Sequence, residues 1–191
     1  MTKRPGATRN PELRIIGGQW RSRKLLFESG EGLRPTGNRI REMLFNWLQH
    51  DVRGARVLDL FSGSGALGFE AASRGAGQVV LVDSSFATVE VLRRNCALLQ
   101  SDQIEVVHAK AAAYLDTSAP PFDLLFLDPP FADDELDAIC ARLETRRFVN
   151  RGARIYIETP RGRPINTPES WKLLRNKSTG NVEVRLFQAG I

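Results

Sequence analysis

From Arg56 onward the chain alternates apolar runs with amphipathic segments, and this alternation restricts its fold more than any other feature. The apolar runs are RVLDLF, QVVLVD, IEVVHA, FDLLFLD and ARIYIET, and each is followed by a helical or turn-forming segment. Strands that alternate with helices form parallel βαβ units, so the pattern predicts a doubly wound α/β sheet. The last segment, WKLLRNKSTGNVEVRLF, predicts a hairpin around STGN, which makes the final strands antiparallel.

The residues before this alternation have a different pattern and predict a small extension. LRIIGGQWRSRKLLF predicts a β-hairpin around GGQW. The segment that follows changes to helical periodicity, with Thr36 or Asn38 as the expected N-cap. We therefore expect three parts: a basic, disordered tail over 1–12, a hairpin and helix over 13–53, and the main domain over 54–191.

Positive charge is concentrated in the N-terminal fifth of the chain. The formal net charge is +5, yet residues 1–41 carry ten Lys and Arg against three Glu. Phosphate contacts dominate the affinity of proteins for nucleic acids, so a basic end on a near-neutral body favours a polyanionic partner. A solvated tail is the alternative, and we prefer it for residues 1–10. In residues 13–41 the charges are interleaved with apolar residues that must pack.

Other broad features exclude several classes of protein. No apolar stretch is long enough for a membrane span, and MTKRPGATRN lacks the apolar core of a signal peptide. Two distant cysteines and two histidines argue against a disulfide framework and a structural zinc site. We therefore expect a cytoplasmic protein with no membrane partner and no metal.

Three features fall at the carboxyl ends of the predicted strands, where open α/β sheets bind their ligands. The first is the loop VLDLFSGSGALG, whose glycines fit G-x-G-x-x-G and let a cofactor approach the backbone at a helix N-terminus. The second is Asp83, twenty residues after Gly63, a spacing at which a carboxylate can accept hydrogen bonds from both ribose hydroxyls. Helix capping is the alternative role for Asp83. The third is DPPF, residues 128–131, after the fourth strand.

A nicotinamide dehydrogenase would share the first two features. Asp59, inside the first strand, argues against that class, because a carboxylate there would face a pyrophosphate. It suits a cofactor that carries an ammonium group. A dehydrogenase also has no use for DPPF, although a proline pair can simply end a strand.

Together these segments resemble S-adenosylmethionine-dependent methyltransferases that act on exocyclic amino groups. With LRIIGGQWRSRKL and LRPTGNRIREMLFNWL in front, the chain from about Leu13 to Phe187 resembles the bacterial 16S ribosomal RNA guanine-N2 methyltransferase family (RsmD type). The resemblance implies a Rossmann-like, seven-stranded sheet with the last strand antiparallel. It also implies S-adenosyl-L-methionine as methyl donor, no metal, and 16S rRNA or the small ribosomal subunit as partner. The sequence does not determine the oligomeric state, and we expect a monomer.

The resemblance also implies roles for individual residues at the cofactor. Asp59 faces the methionine ammonium, Gly63 and Gly65 pack under the methionyl part, and Asp83 holds the ribose. The family has an acidic or amide residue where this chain has Lys110, so the backbone there is expected to read adenine. An RNA contact or a plain surface lysine are the alternatives for Lys110. The implied cofactor set is Asp59, Phe61, Gly63, Gly65, Asp83, Ser84, Lys110, Ala111 and Asp128.

DPPF suits methyl transfer to guanine N2 for a chemical reason. The N2 lone pair is conjugated with the ring, so a site must orient it with two hydrogen-bond acceptors and hold the flipped base flat. Asp128 supplies a carboxylate and Pro129 a carbonyl, while Pro130 completes the rigid turn. Phe131 can stack on the base, which is worth roughly 1–3 kcal/mol.

The basic N-terminal segments are expected to bind RNA. The hairpin is predicted to lie beside the mouth of the site, and LRPTGNRIRE to line the site from the other side. The expected RNA-binding residues are Arg14, Arg21, Arg23, Lys24, Arg34 and Arg39. For Arg34 and Arg39 a contact with the cofactor carboxylate is the alternative.

Three other functions remain open at the level of sequence. A DNA adenine-N6 methyltransferase has a related DPPY motif, but this chain lacks a large DNA-reading domain. A protein glutamine methyltransferase would have Asn in place of Asp128. A catalytically silent RNA-binding factor for ribosome assembly would not need Asp59, Asp83 and DPPF together.

Overall fold

The computed structural model describes residues 12–27, 37–130 and 135–190. The strands are β1 Glu12–Arg14, β2 Lys24–Leu26, β3 Arg56–Asp59, β4 Gln78–Asp83, β5 Ile104–His108, β6 Phe122–Leu127, β7 Val149–Pro160, β8 Lys172–Thr179 and β9 Val182–Gln188. The helices are α1 Asn38–Trp47, α2 Ala66–Ser73, α3 Phe86–Leu99, α4 Ala111–Tyr114 and α5 Leu136–Thr145. None of the helices within these ranges is long and apolar enough to cross a membrane.

Seven strands form one sheet, in the order β5-β4-β3-β6-β7-β9-β8. Strands β3 to β7 are parallel, and β9 lies antiparallel between β7 and β8. The chain moves outward from β3 to β5, then returns to place β6 on the other side of β3, so the strand order reverses between β3 and β6. The doubly wound, seven-stranded sheet with an antiparallel last strand is therefore confirmed.

Alternate residues of the central strands supply two separate cores. One face carries Val57, Leu124 and Phe126, which are fully buried in a cluster with α1, α2, α3 and the N-terminal hairpin. The opposite face carries Leu58 and Leu125, which pack in a second cluster with α4 and α5. This continuous burial on both faces explains why the strands of the sequence are apolar throughout.

The N-terminal extension contains the predicted hairpin and helix, with one correction. Strands β1 and β2 pair antiparallel, with Leu13 opposite Leu25. The N-cap of α1 is Gly37, which has no side chain to cap the helix, so the assignment of Asn38 as cap is wrong. Asn38 is instead the first helical residue, and its Oδ1 accepts a hydrogen bond from Arg41 Nη2 at 2.6 Å. Thr36 lies outside the described residues.

Glu70 on α2 joins the extension to the main sheet. Its two carboxylate oxygens accept hydrogen bonds from the backbone N–H groups of Ile16 and Gly17, each at 2.8 Å. Arg74 Nε lies 2.7 Å from Oε1, and Arg41 Nη1 lies 3.6 Å from Oε2. The hairpin therefore shares the core of the main domain, while the expected division at residues 53/54 stays a prediction.

The turn of the hairpin lies away from the edge where ligands are expected. Gly18 packs so closely on α2 that a Cβ there would lie 1.8 Å from the carbonyl oxygen of Ser73, in the last turn of the helix. Arg23 Nη2 donates a hydrogen bond to the carbonyl of Leu98 at 2.9 Å, near the C-terminal end of α3. Because α3 begins directly after β4, Leu98 is about 18 Å from that edge along the helix axis.

The prediction that the hairpin lies beside the mouth of the site is therefore wrong for Arg21 and Arg23. The sequence indicated that the hairpin packs on the body, but not which end of α2 and α3 it covers. Whether the hairpin contacts RNA stays a prediction.

Candidate active site

The glycine-rich loop joins β3 to α2 at the carboxyl edge of the sheet. The Ser62 N–H donates to the Val82 carbonyl at 2.9 Å, and the Gly65 N–H donates to the Ser62 carbonyl at 2.7 Å. Gly65 has a φ of +74°, and a Cβ there would lie 2.5 Å from the ring of Phe69. Only glycine fits this position, so the sequence dictates a tight turn that exposes the backbone at the start of α2.

Asp83 at the end of β4 fixes the shape of this loop. Its Oδ2 accepts a hydrogen bond from the Gly63 N–H and its Oδ1 accepts one from the Ser85 N–H, each at 2.8 Å. The N-cap of α3 is Ser85, whose Oγ accepts from the Thr88 N–H at 3.3 Å. The alternative interpretation of Asp83 as the helix cap is therefore wrong, and its half-buried carboxylate faces the loop.

Asp59 is a buried carboxylate under the same loop. Only 2% of its surface is exposed, and its Oδ2 accepts a hydrogen bond from the Gly68 N–H at 3.0 Å. Burial raises the pKa of Asp59 to about 7, the charge of Asp83 raises it further, and the Gly68 hydrogen bond opposes both. A cation beside this carboxylate would stabilise its ionised form, so the site favours a positively charged ligand group.

Asp128 lies at the same edge, after β6. The register of β6 and β7 pairs Phe126 with Tyr156 and Leu127 with Ile157, so Asp128 follows on the row of Glu158. Asp128 is half-buried, Pro129 is buried and Pro130 is exposed. Phe131 lies outside the described residues. The structure therefore brings DPP together with the Asp59 and Asp83 carboxylates, on three neighbouring strands.

The remaining predicted cofactor residues also lie around this edge. Ser84 is exposed directly after β4, and its carbonyl is 3.1 Å from His108 Nε2. Lys110 is exposed and is the N-cap of α4, while Ala111 is buried. Phe61 is half-buried and packs against the core beneath α4 and α5. The assignment of these residues to the cofactor stays a prediction.

The predicted RNA-binding residues are divided between two surfaces. Arg39 is exposed in the first turn of α1 and lines a groove of about 270 Å³ with Lys177 and Thr179. Strand β8 runs parallel to β7 and ends at Thr179, so this groove opens at the carboxyl edge. Arg14 and Lys24 lie opposite each other on the paired strands β1 and β2 of the hairpin. Arg34 lies outside the described residues.

Two further residues near this edge were not singled out in the sequence. Glu158 is only 6% exposed and accepts a hydrogen bond from the Tyr156 hydroxyl at 2.8 Å. It ends an apolar run just as Asp83 and Asp128 do, and that shared position could have revealed it. Phe86 is 63% exposed at the start of α3, with its ring 5.8 Å from that of His108.

No group of three or more His, Cys, Asp or Glu side chains within the described ranges is arranged to hold a metal ion. The functional groups at this edge of the sheet are carboxylates and backbone amides. They consist of carboxylates at strand ends, backbone N–H groups of the loop, and the constrained carbonyls of the proline pair.

Comparison with solved structures agrees with this description. The structure of yhhF from Escherichia coli, assigned to the methyltransferases, superposes with a TM-score of 0.87 at 37% identity, covering 95% of this chain and 99% of that one. The strand order, the reversed β9 and the glycine loop between acidic strand ends define a Rossmann-like methyltransferase.

The particular family follows from sequence comparison. Residues 13–188 match the family described as Conserved hypothetical protein 95, and the chain belongs to this family. A relative from Haemophilus influenzae, ribosomal RNA small subunit methyltransferase D, is 42% identical over 93% of this chain and 94% of its own. The protein of that name from Escherichia coli K12 is 40% identical over 97% of this chain and 94% of its own. The family resemblance noted in the sequence is thereby confirmed.

Proposed function

We propose that this protein transfers the methyl group of S-adenosyl-L-methionine to the exocyclic N2 amino group of a guanine in 16S rRNA of the small ribosomal subunit. The observation that carries the proposal is the position of Asp128 and Pro129, at the edge where Asp83 holds the glycine loop. The relatives named as small-subunit rRNA methyltransferases support the choice of RNA.

The residues at this edge fit S-adenosyl-L-methionine. Asp59 would receive the ammonium group, because a buried carboxylate with a pKa near 7 is stabilised by a cation. Gly63 and Gly65 would lie under the methionyl part, and Asp83 would accept hydrogen bonds from the ribose. When bound, the methyl donor supplies an already activated methyl group on a sulfonium sulfur.

The protein's contribution to methyl transfer is orientation. The Asp128 carboxylate and the Pro129 carbonyl accept the two N2–H hydrogen bonds of a flipped guanine, which directs the nitrogen lone pair at the methyl carbon. The new N–C bond forms as the S–C bond breaks, and the nitrogen then loses one proton to Asp128 or to water. Stacking of the base on Phe131 stays a prediction.

The RNA backbone is proposed to pass over the groove lined by Arg39 and Lys177. This groove opens at the edge that carries Asp128, so phosphates flanking a flipped guanine can reach its two exposed cations. The hairpin residues Arg21 and Arg23 lie near the C-terminal ends of α2 and α3. They would contact RNA only if the RNA extends around those helix ends. The monomeric state and the cytoplasmic location stay predictions.

Incorporation of labelled methyl groups tests the proposed function. Wild type and Asp128→Ala are incubated with labelled S-adenosyl-L-methionine and each of three acceptors: unmodified 16S RNA, unmodified small subunits, and double-stranded DNA. We expect labelling of RNA or subunits by wild type alone. Labelling of DNA in preference to both would contradict the proposal, as would equal labelling by Asp128→Ala.

A further inference from the structure

Glu158 is a buried carboxylate at the carboxyl edge, next to Asp128. The β6–β7 register continues from the pairs Phe126–Tyr156 and Leu127–Ile157, which puts Asp128 and Glu158 on the same row. Neighbouring strands lie about 4.8 Å apart, so the two carboxylates start from adjacent backbone positions. Side chains alternate between the faces of a sheet, so both belong to the face of Phe126 and Tyr156.

The environment of Glu158 orients its carboxylate. Tyr156, two residues earlier on the same strand, donates its hydroxyl hydrogen to Oε2 at 2.8 Å, and the Tyr156 ring packs edge-on against Phe126. Both oxygens of a carboxylate can accept hydrogen bonds. The Tyr156 hydrogen bond therefore orients Glu158 and leaves it able to accept a further hydrogen bond. Apolar neighbours hold Tyr156 fully buried, so Glu158 has a defined position beside DPP.

From this geometry we infer that Glu158 is a specificity-determining residue, which accepts a hydrogen bond from N1–H of the target guanine. The inference rests on the proposed function and adds the recognition of the base to it. Guanine carries N1–H next to its N2 amino group, whereas adenine carries an unprotonated acceptor at N1. A carboxylate beside Asp128 therefore attracts guanine and repels a base whose N1 is a lone pair.

A purely structural role for Glu158 is the competing interpretation, since Tyr156 already binds it. The two interpretations predict different results when the target base is replaced and the variant enzyme is correctly folded. 2-Aminopurine keeps the N2 amino group but has no hydrogen on N1. In Glu158→Gln the amide oxygen can keep the Tyr156 hydrogen bond while the amide N–H donates to an unprotonated N1.

The experiment compares two RNAs that differ only at the position that the wild-type enzyme methylates, one with guanine and one with 2-aminopurine. Sites built to bind an N–H group reject analogues without it by large factors. We expect wild type to prefer guanine by at least about tenfold in kcat/KM. Glu158→Gln should narrow that ratio by roughly tenfold or more, while its affinity for S-adenosyl-L-methionine is unchanged.

Two further variants keep the outcome interpretable. Glu183→Gln removes a different buried carboxylate, on β9, whose contacts are the Gly162 N–H and Arg185. The guanine preference of this control variant should equal that of wild type. Tyr156→Phe removes the group that orients Glu158 and should narrow the preference partially, which provides a test if Glu158→Gln fails to fold.

The outcomes separate the two claims. A guanine preference within twofold of wild type in folded Glu158→Gln would overturn the inference but leave the proposed function intact, as would an unchanged preference in Tyr156→Phe. If wild type methylates no guanine in 16S RNA or in small subunits, the proposed function itself fails.

Discussion

Asp83 and Gly63 are joined by a hydrogen bond of 2.8 Å between the carboxylate at the end of β4 and the backbone N–H of the loop after β3. The residue expected to hold the ribose thus also shapes the loop expected to hold the methionyl part. The second carboxylate oxygen accepts from Ser85 N–H, which leads into α3. One side chain therefore orders both loops of the proposed cofactor site.

Asp83→Ala should weaken the binding of S-adenosyl-L-methionine at least roughly fivefold. The change removes the acceptors for ribose, worth on the order of 1–3 kcal/mol, and releases the loop. Titration calorimetry measures the affinity, with Ser85→Ala as control, since loss of that helix cap should lower stability by about 1 kcal/mol without weakening binding. An affinity within a factor of two of wild type would show that Asp83 does not hold the ribose.

Cofactor affinity should depend on pH through Asp59. With a pKa of about 7, this carboxyl is ionised in about one tenth of cofactor-free molecules at pH 6 and about three quarters at pH 7.5. Affinity for the ammonium-bearing methyl donor should therefore rise roughly eightfold over this interval, and Asp59→Asn should flatten the rise. A wild-type profile as flat as that of Asp59→Asn would contradict the assigned role.

The raised pKa of Asp59 also predicts how the stability of the cofactor-free protein varies with pH. The folded pKa of Asp59 lies above the ordinary aspartate value of 3.8, so the folded state binds more protons than the unfolded state between about pH 4 and pH 7. The contribution of Asp59 to the free energy of unfolding is fully present below pH 4 and is lost as pH rises through 7. Chemical denaturation should show a shallower decline over this window in Asp59→Asn than in wild type.

Asp128→Ala should separate binding from turnover. Removal of an electrostatic group at the reacting nitrogen lowers kcat by roughly a hundredfold or more, while the affinity for the methyl donor stays within about twofold. Single-turnover methylation of RNA measures the rate, and Asp102→Ala, an exposed carboxylate before β5, is the control. Methylation near the wild-type rate in Asp128→Ala would remove DPPF from the mechanism.

Salt dependence distinguishes the two basic surfaces. For single-stranded RNA the slope of log affinity against log salt is about −0.7 per phosphate contact. The double variant Arg39→Gln, Lys177→Gln should weaken RNA binding and reduce the slope by up to about 1.4, with cofactor affinity unchanged. The double variant Arg21→Gln, Arg23→Gln removes equal charge near the turn of the hairpin and should reduce RNA affinity and the salt slope less. A larger reduction in this variant than in Arg39→Gln, Lys177→Gln would show that RNA binds at the hairpin.

Glu70→Gln should destabilise the protein and loosen the hairpin. Arg41 is 1% exposed, and burial lowers the pKa of its guanidinium despite the opposing charge of Glu70. Breaking one partner of a buried ion pair costs about 3–5 kcal/mol, because the remaining charge is uncompensated. Chemical denaturation followed by tryptophan fluorescence measures the loss, and Trp20 contributes to this signal from the same interface, where its backbone N–H donates to Ser73 Oγ at 3.0 Å.

The control for this change is Glu90→Gln, which breaks the exposed Arg93–Glu90 pair and should change stability by less than about 1 kcal/mol. Equal stability of Glu70→Gln and Glu90→Gln would show that the extension is held by its apolar contacts alone.

The sequence predicted the sheet and most of the candidate site because both follow from local patterns. Apolar runs define the strands, and parallel strands place their carboxyl ends at one edge, so Asp59, Asp83 and Asp128 had to converge. Glu158 obeys the same rule. It was overlooked because ARIYIET belongs to no recognised motif.

The position of the hairpin could not be predicted in this way. It depends on Glu70 accepting hydrogen bonds from backbone groups 54 and 53 residues earlier, and on the close packing of Gly18 on Ser73. Such contacts have no local periodicity. The mistaken cap at Asn38 has a similar cause, because the Asn38 side chain binds Arg41 in that same interface.

The identity of the methylated nucleoside tests the central claim most directly. Unmodified 16S RNA and unmodified small subunits are treated with the enzyme and S-adenosyl-L-methionine, digested to nucleosides and analysed by mass spectrometry against standards. The account predicts N2-methylguanosine with wild type and none with Asp128→Ala. N6-methyladenosine, a guanosine methylated at another atom, or no methylated nucleoside from either substrate would contradict it.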